Sequence, residues 1–145
     1  MKIDLHIHSE YSKRPSTWLM KKVGCAESYS NPLHIYNLAK QRGMGAVTIA
    51  DHNLIDGCLE IAELEDTFIS CEFTCYFPED GCKIHILVSD ISEGQFGELD
   101  GLRKNVYEFI GFCQSEGIFY TLAHPMFRMS ENSGLEHFEK ALLLF

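Results

Sequence analysis

The chain has 145 residues, 46% of them hydrophobic, and a formal charge of −9 at pH 7. That length and composition predict a single domain with a real core, and the charge excludes a general affinity for long nucleic acid, which needs clustered Lys and Arg. No run approaches the roughly 20 apolar residues of a membrane span, and no basic region followed by an apolar stretch opens the chain, so a cytoplasmic protein with no membrane partner is expected.

The first segment, "KIDLHIHS", reads as a strand. Alternation puts Ile3, Leu5 and Ile7 on one side and Asp4, His6 and His8 on the other. Side chains two residues apart on a strand are separated by about 6.5 Å, close enough for two imidazoles to close on one metal ion. A solvent-facing pair on an edge strand fits the same pattern. A polar loop follows from about Ser9 to Ser30, and Asn31-Pro32 then signals a helix, with Asn at the N-cap and Pro at the first helical position. Ile35, Leu38 and Ala39 form its apolar stripe, and Gly43 should end it. "GAVTIAD" is continuously apolar, as in a strand buried on both faces, and completes a β-α-β unit.

Gly57 to Glu65 reads as a short helix, "TFISCEFTCYF" as a strand, Pro78-Glu79-Asp80-Gly81 as a turn, and "CKIHILVS" as a hairpin partner or neighbour. A helix from about Gly97 to Gln114 carries Leu102, Val106, Phe109, Ile110 and Cys113 on one side and should stop at Gly117. "IFYTLAHP" is the fifth strand, and Leu135 to Phe145 begins another helix or apolar segment. Six cysteines, Cys25, Cys58, Cys71, Cys75, Cys82 and Cys113, include no C-x-x-C pair and are expected as reduced, mostly buried thiols. The alternation of short apolar strands with helices predicts an α/β architecture with a mainly parallel sheet, as a barrel or an open sheet. The chain stops inside "ALLLF", so a fragment is expected, with the rest of a longer chain or a second copy as partner.

Five of the seven histidines fall on or at the ends of these strands: His6, His8, His52, His85 and His124. In α/β sheets and barrels functional groups gather at the carboxyl ends of strands, so these five can converge. His34 and His137 sit in helical segments and are expected to face solvent. In "ISCEFTCYF", Glu72 shares a face with Ser70 and Thr74, opposite Ile69, Cys71 and Phe73. A carboxylate in an apolar strand is costly to bury unpaired; a metal ion, or an ion pair with Arg or Lys, would remove the cost. Imidazole with carboxylate suits zinc, manganese or iron better than magnesium.

Taken in order, "DLHIHSEYS", "ADHN", "CEF", "IHIL" and "AHP" resemble the polymerase and histidinol phosphatase (PHP) domain family of metal-dependent phosphoesterases, over the stretch from the first strand to Pro125. The resemblance implies a distorted (β/α)7 TIM-like barrel, incomplete in this chain, carrying two or three divalent ions. By position, His6 and His8 would hold one metal, Glu72 would bridge it to a second held by His85 and His124, and His52 would serve a third. Asp51 matches the family's acidic residue before that His, in a supporting role within the catalytic set. Two departures stand out: the family's Asp or His shortly after the first motif is replaced by "SEYSKRPS", with Lys13 and Arg14, and no late Asp-x-His is present.

The reaction implied is hydrolysis of a small molecule's phosphate ester, with the ions about 3.5–4 Å apart and an activated water beside Glu72 as nucleophile. Arg14 with Lys13 could clamp the phosphate, and His52 could protonate the leaving oxygen. Two alternatives remain open at this level: an amidohydrolase-type metal hydrolase, which also opens on H-x-H but uses a Lys on a middle strand, and a degenerate or regulatory metal-binding domain of a larger protein.

Overall fold

The computed structural model describes residues 1–13, 26–125 and 134–145. Among these, helix α1 (Pro32–Gln41) starts as its sequence dictates: the Asn31 side chain accepts from the amides of Leu33 and His34, Pro32 takes the first turn, and Pro32, Ile35 and Ala39 are buried. Gly43, at φ +77°, turns the chain out of it. A short helix α2 (Asp56–Leu59) follows.

Strands β1 (Ser70–Tyr76) and β2 (Lys83–Ser89) then form an antiparallel hairpin, with Glu72 opposite Leu87 and Thr74 opposite His85. The Pro78–Gly81 turn, with Gly81 at φ +70°, is far too short for the crossover that a parallel pair needs. Two helices lead to the last strand. Helix α3 (Glu93–Leu102) opens on a capping box between Ser92 and Gln95. Helix α4 (Val106–Glu116) opens on an Asn105 cap and ends at Gly117, at φ +66°. The single helix expected from Gly97 to Gln114 is thus two, because Asn105 caps a new start. Strand β3 (Phe119–Leu122) pairs antiparallel with β2, and helix α5 (Leu135–Leu142) follows.

The described strands therefore make one open antiparallel sheet of order β1-β2-β3. No (β/α)7 TIM-like barrel and no mainly parallel sheet is present among the described residues, which corrects the architecture expected from the alternation of elements. The physical reason is hydrogen bonding rather than hydrophobic pattern. The segment 2–9 and the apolar "GAVTIAD" form no strand of the sheet; their backbone contacts are isolated ones, among them Gly45 N to Lys2 O and Ala50 N to Ile7 O, both 2.8 Å, and single parallel bridges Val47 to Thr67 and His52 to Glu72. Buried apolar strands look alike in sequence whichever direction their neighbours run.

One face of the sheet is apolar. Cys71, Phe73 and Cys75 of β1 and Ile84, Ile86 and Val88 of β2 pack with Leu99, Val106, Phe109, Ile110 and Cys113 of the helices. Phe73 meets Phe109 edge-on at 5.1 Å between centroids. The other side chains of the two strands, Glu72, Thr74 and His85 among them, point to the opposite face. A second cluster, with Ile35, Ala39, Val47, Ile49, Cys58 and Ile61, seats α1 against the 47–61 stretch. Cys58, Cys71, Cys75, Cys82 and Cys113 are buried, and burial pushes the Cys75 thiol well up and that of Cys113 up to about 12. Among the described residues no helix is long and apolar enough to cross a membrane.

Candidate metal centre

Backbone hydrogen bonds carry the five histidines to one place. Ala50 N to Ile7 O lays the 6–8 segment beside the 50–52 segment, and the amide of Glu72 donates to Asp51 O while that of Asn53 donates to Glu72 O. Ala123 N to His85 O, 2.9 Å, brings His124 next to β2. His124 sits at φ +32° and Asn53 at φ +55°, two non-glycine residues in the left-handed region at the edges of the site.

All five rings meet the carboxylate of Glu72, which is fully buried. Its Oε2 lies 3.1 Å from His6 Nε2, 3.1 Å from His8 Nε2 and 3.2 Å from His52 Nδ1. Its Oε1 lies 3.0 Å from His85 Nδ1 and 2.7 Å from His124 Nε2. Two groups have ligand atoms mutually within 4.8 Å: His6, Glu72 and His124, and His8, His52 and Glu72. The two share Glu72, as a bridging carboxylate would be shared. Each expected pair shares one carboxylate oxygen, His6 with His8 on Oε2 and His85 with His124 on Oε1, while the groups of mutually close ligand atoms join His6 with His124 and His8 with His52. The Arg or Lys partner considered for Glu72 is absent among the described residues; its partners are imidazoles.

The donor set fits divalent ions. A carboxylate offers about four lone-pair sites, and five ring nitrogens crowd this one. His52 Nδ1 is buried without a hydrogen bond of acceptable geometry, as is Glu27 Oε2. Nitrogen and oxygen ligands of this kind suit zinc, manganese or iron.

Electrostatics follow from the same contacts. Burial alone would push the Glu72 carboxyl up, but hydrogen bonds from His124, His6, His8 and His85 hold it far below the usual range. The hydrogen bond to Glu72 raises His6. Burial lowers His85. His52 is pulled down by burial and more than restored by Glu27 and Glu72, so its net shift is upward.

Glu27 is the residue that the sequence did not point to. Its Oε2 lies 2.8 Å from His52 Nε2; burial raises its carboxyl, and His52 more than reverses this. It sits in the polar stretch before α1, where no periodicity marks it. It supplies an acidic group beside His52.

Asp51 points away from the cluster. Its Oδ1 accepts from Ser9 N at 2.7 Å and Ser12 Oγ at 2.8 Å, and its Oδ2 from Ser9 Oγ at 2.5 Å. Ser12 Oγ also lies 3.2 Å from His8 Nδ1 and accepts from His52 N. Asp51 thus braces the loop that supports two metal-facing rings. A side chain at Gly57 would collide with the Asp51 carboxylate and the Ser9 hydroxyl. Lys13 is exposed, and Arg14, expected as a phosphate clamp, lies outside the described residues. His34 faces solvent as expected. His137 does not: its side chain is 11% exposed, and its Nε2 lies 2.7 Å from Asp80 Oδ2 at the hairpin turn.

No family model matches the chain. A curated relative, an uncharacterized protein of Methanocaldococcus jannaschii, is 41% identical over 68 residues, which cover 47% of this chain and 38% of the relative. The matched region therefore spans well under half of that protein's length. Among solved structures, an amidohydrolase from Chromobacterium violaceum, with bound sulfate and no metal, is 18% identical with a TM-score of 0.47, over 97% of this chain and 49% of that one.

Proposed function

We propose that this chain is a metal-dependent hydrolase of the PHP type, acting on the phosphate ester of a small molecule. The observation that carries the reading is the convergence of five histidines on the buried carboxylate of Glu72. A divalent ion would satisfy several of these ligand atoms at once, more than one carboxylate's lone pairs can. Glu72 and the five histidines would hold the ions, with His6, His8 and His52 at the Oε2 side of the carboxylate and His85 and His124 at the Oε1 side. Ions held there would lower the pKa of a water and offset the charge that develops on a transferring phosphoryl group.

The remaining roles belong to the chain itself. Glu72 sets the spacing between ligand groups. Glu27 faces His52 Nε2 and would take its proton, leaving Nδ1 free toward the ions; where His52 holds no ion, it could instead hand a proton to the leaving oxygen. The acidic balance of the chain, −9, favours a small substrate over long nucleic acid.

Elemental analysis of protein expressed with zinc, manganese and iron available tests the reading, followed by a parallel screen of phosphate monoesters, diesters, amides and lactones. Two or three ions per chain and turnover of phosphate esters are expected. One ion or none, or turnover of amides or lactones alone, overturns it.

A further inference from the structure

We propose that Arg103, Asn53 and Thr74 form a relay that positions His85 for metal binding, by fixing which of its ring nitrogens is free. The proposal rests on the metal reading above and adds three positioning residues to it. His85 Nδ1 faces Glu72 Oε1 at 3.0 Å, and on the other side of the ring Nε2 lies 3.3 Å from Thr74 Oγ1. Thr74 stands directly across the hairpin from His85, so the pairing is built into the β1–β2 register.

The hydroxyl is itself held. Asn53 Nδ2 donates to Thr74 Oγ1 at 3.2 Å, and Asn53 Oδ1 accepts from Thr74 N at 2.8 Å and from Arg103 Nη1 at 2.8 Å. A guanidinium and a backbone amide can only donate, so both identify the Asn53 atom facing them as oxygen. The other amide atom is then a fixed donor to Thr74. Arg103 is pinned in turn: its carbonyl accepts from Tyr76 N at 2.9 Å, and its Nε lies 2.7 Å from Asp100 Oδ1. Asn53 holds a left-handed φ of +55° while its amide donates to Glu72 O. The relay is therefore anchored at one end to the backbone of the bridging carboxylate itself.

A hydroxyl has one proton and two lone pairs. With no ion the Nδ1 proton of His85 faces Glu72; with one lone pair taken by Asn53, Thr74 can still accept an Nε2 proton, which would leave Nδ1 unprotonated for an ion. Histidine ligands depend on such a partner for their other ring nitrogen, and its loss lowers metal affinity about 10–100-fold. Bare packing would not require the hydroxyl, the amide orientation or the guanidinium.

The test is zinc binding, by chelator competition, to the whole chain and to Thr74→Val, Thr74→Ser and Arg103→Met, with thermal unfolding of each metal-free protein as a control for folding. Zinc affinity is expected to fall roughly 10–100-fold in Thr74→Val, to recover in Thr74→Ser and to fall about tenfold in Arg103→Met. In the zinc-loaded protein, long-range proton–nitrogen spectra should show an Nε2–H on His85 that is lost or exchanges faster in Thr74→Val. Should Thr74→Val fail to fold, Arg103→Met reads the same relay from its half-exposed end. Unchanged affinity and an unchanged His85 signature in a folded variant overturn the relay alone. Failure of the unsubstituted chain to bind zinc overturns the metal reading, and the relay with it.

Discussion

His124 Nε2 lies 2.7 Å from Glu72 Oε1, although 52 residues separate them, and His124 adopts φ +32° in reaching it. The contact closes the ring of imidazoles around one buried carboxylate. Replacing Glu72 with Gln removes the charge and one ligand oxygen while conserving shape. We expect fewer than two ions per chain by elemental analysis, and phosphate ester hydrolysis reduced to background. Retention of both would exclude a bridging role.

Glu27 and His52 make a second charged pair, at 2.8 Å. Glu27→Gln should weaken zinc on the His8–His52 side about tenfold while leaving binding at His6 and His124 intact. A titration that resolves the two affinities separates this from a general loss of fold.

The pH response should reverse sign with metal. His6 and His52 are raised from the ordinary 6.5. Above that value the metal-free native state still holds protons that the unfolded chain has released, so their contribution is full below 6.5 and is lost as pH rises through the folded values. His85, lowered from 6.5 by burial, acts oppositely: the unfolded chain takes up its proton first, so stability is lost as pH falls below 6.5. Metal-free protein should therefore be most stable near 6.5. Zinc needs deprotonated ligands, so zinc-loaded protein should gain stability as pH rises. Thermal unfolding of both forms between about pH 5 and 8 checks the two slopes.

Asp51 accepts three hydrogen bonds from Ser9 and Ser12 while fully enclosed. Asp51→Ala should cost about 3 kcal/mol of stability, because two charge-assisted bonds or more are lost and their donors are left buried. Urea unfolding of metal-free protein measures it. A loss below roughly 1 kcal/mol would mean that the loop has another support.

Local chemistry was plain in the chain. Asn31-Pro32 marked the start of α1, Gly117 marked the end of α4, and alternation in β1 placed Glu72 and Thr74 opposite Cys71 and Phe73. The five strand histidines were singled out by residue type and position, and all five reach Glu72. Glu27 was not, since it lies in a polar segment where neither period nor spacing distinguishes a functional acid from a solvated one. Asn53, Thr74 and Arg103 were also hidden, because their connection crosses three segments.

The sequence by itself singled out the five histidines and Glu72, and the face of β1 that Glu72 takes, because alternation and capping depend only on near neighbours. Only the tertiary structure decided how they group and how the sheet runs. The antiparallel order β1-β2-β3 and the grouping of His6 with His124 and of His8 with His52 depend on hydrogen bonds between distant segments. Buried apolar runs read alike in either direction, so nothing in their composition encodes that choice.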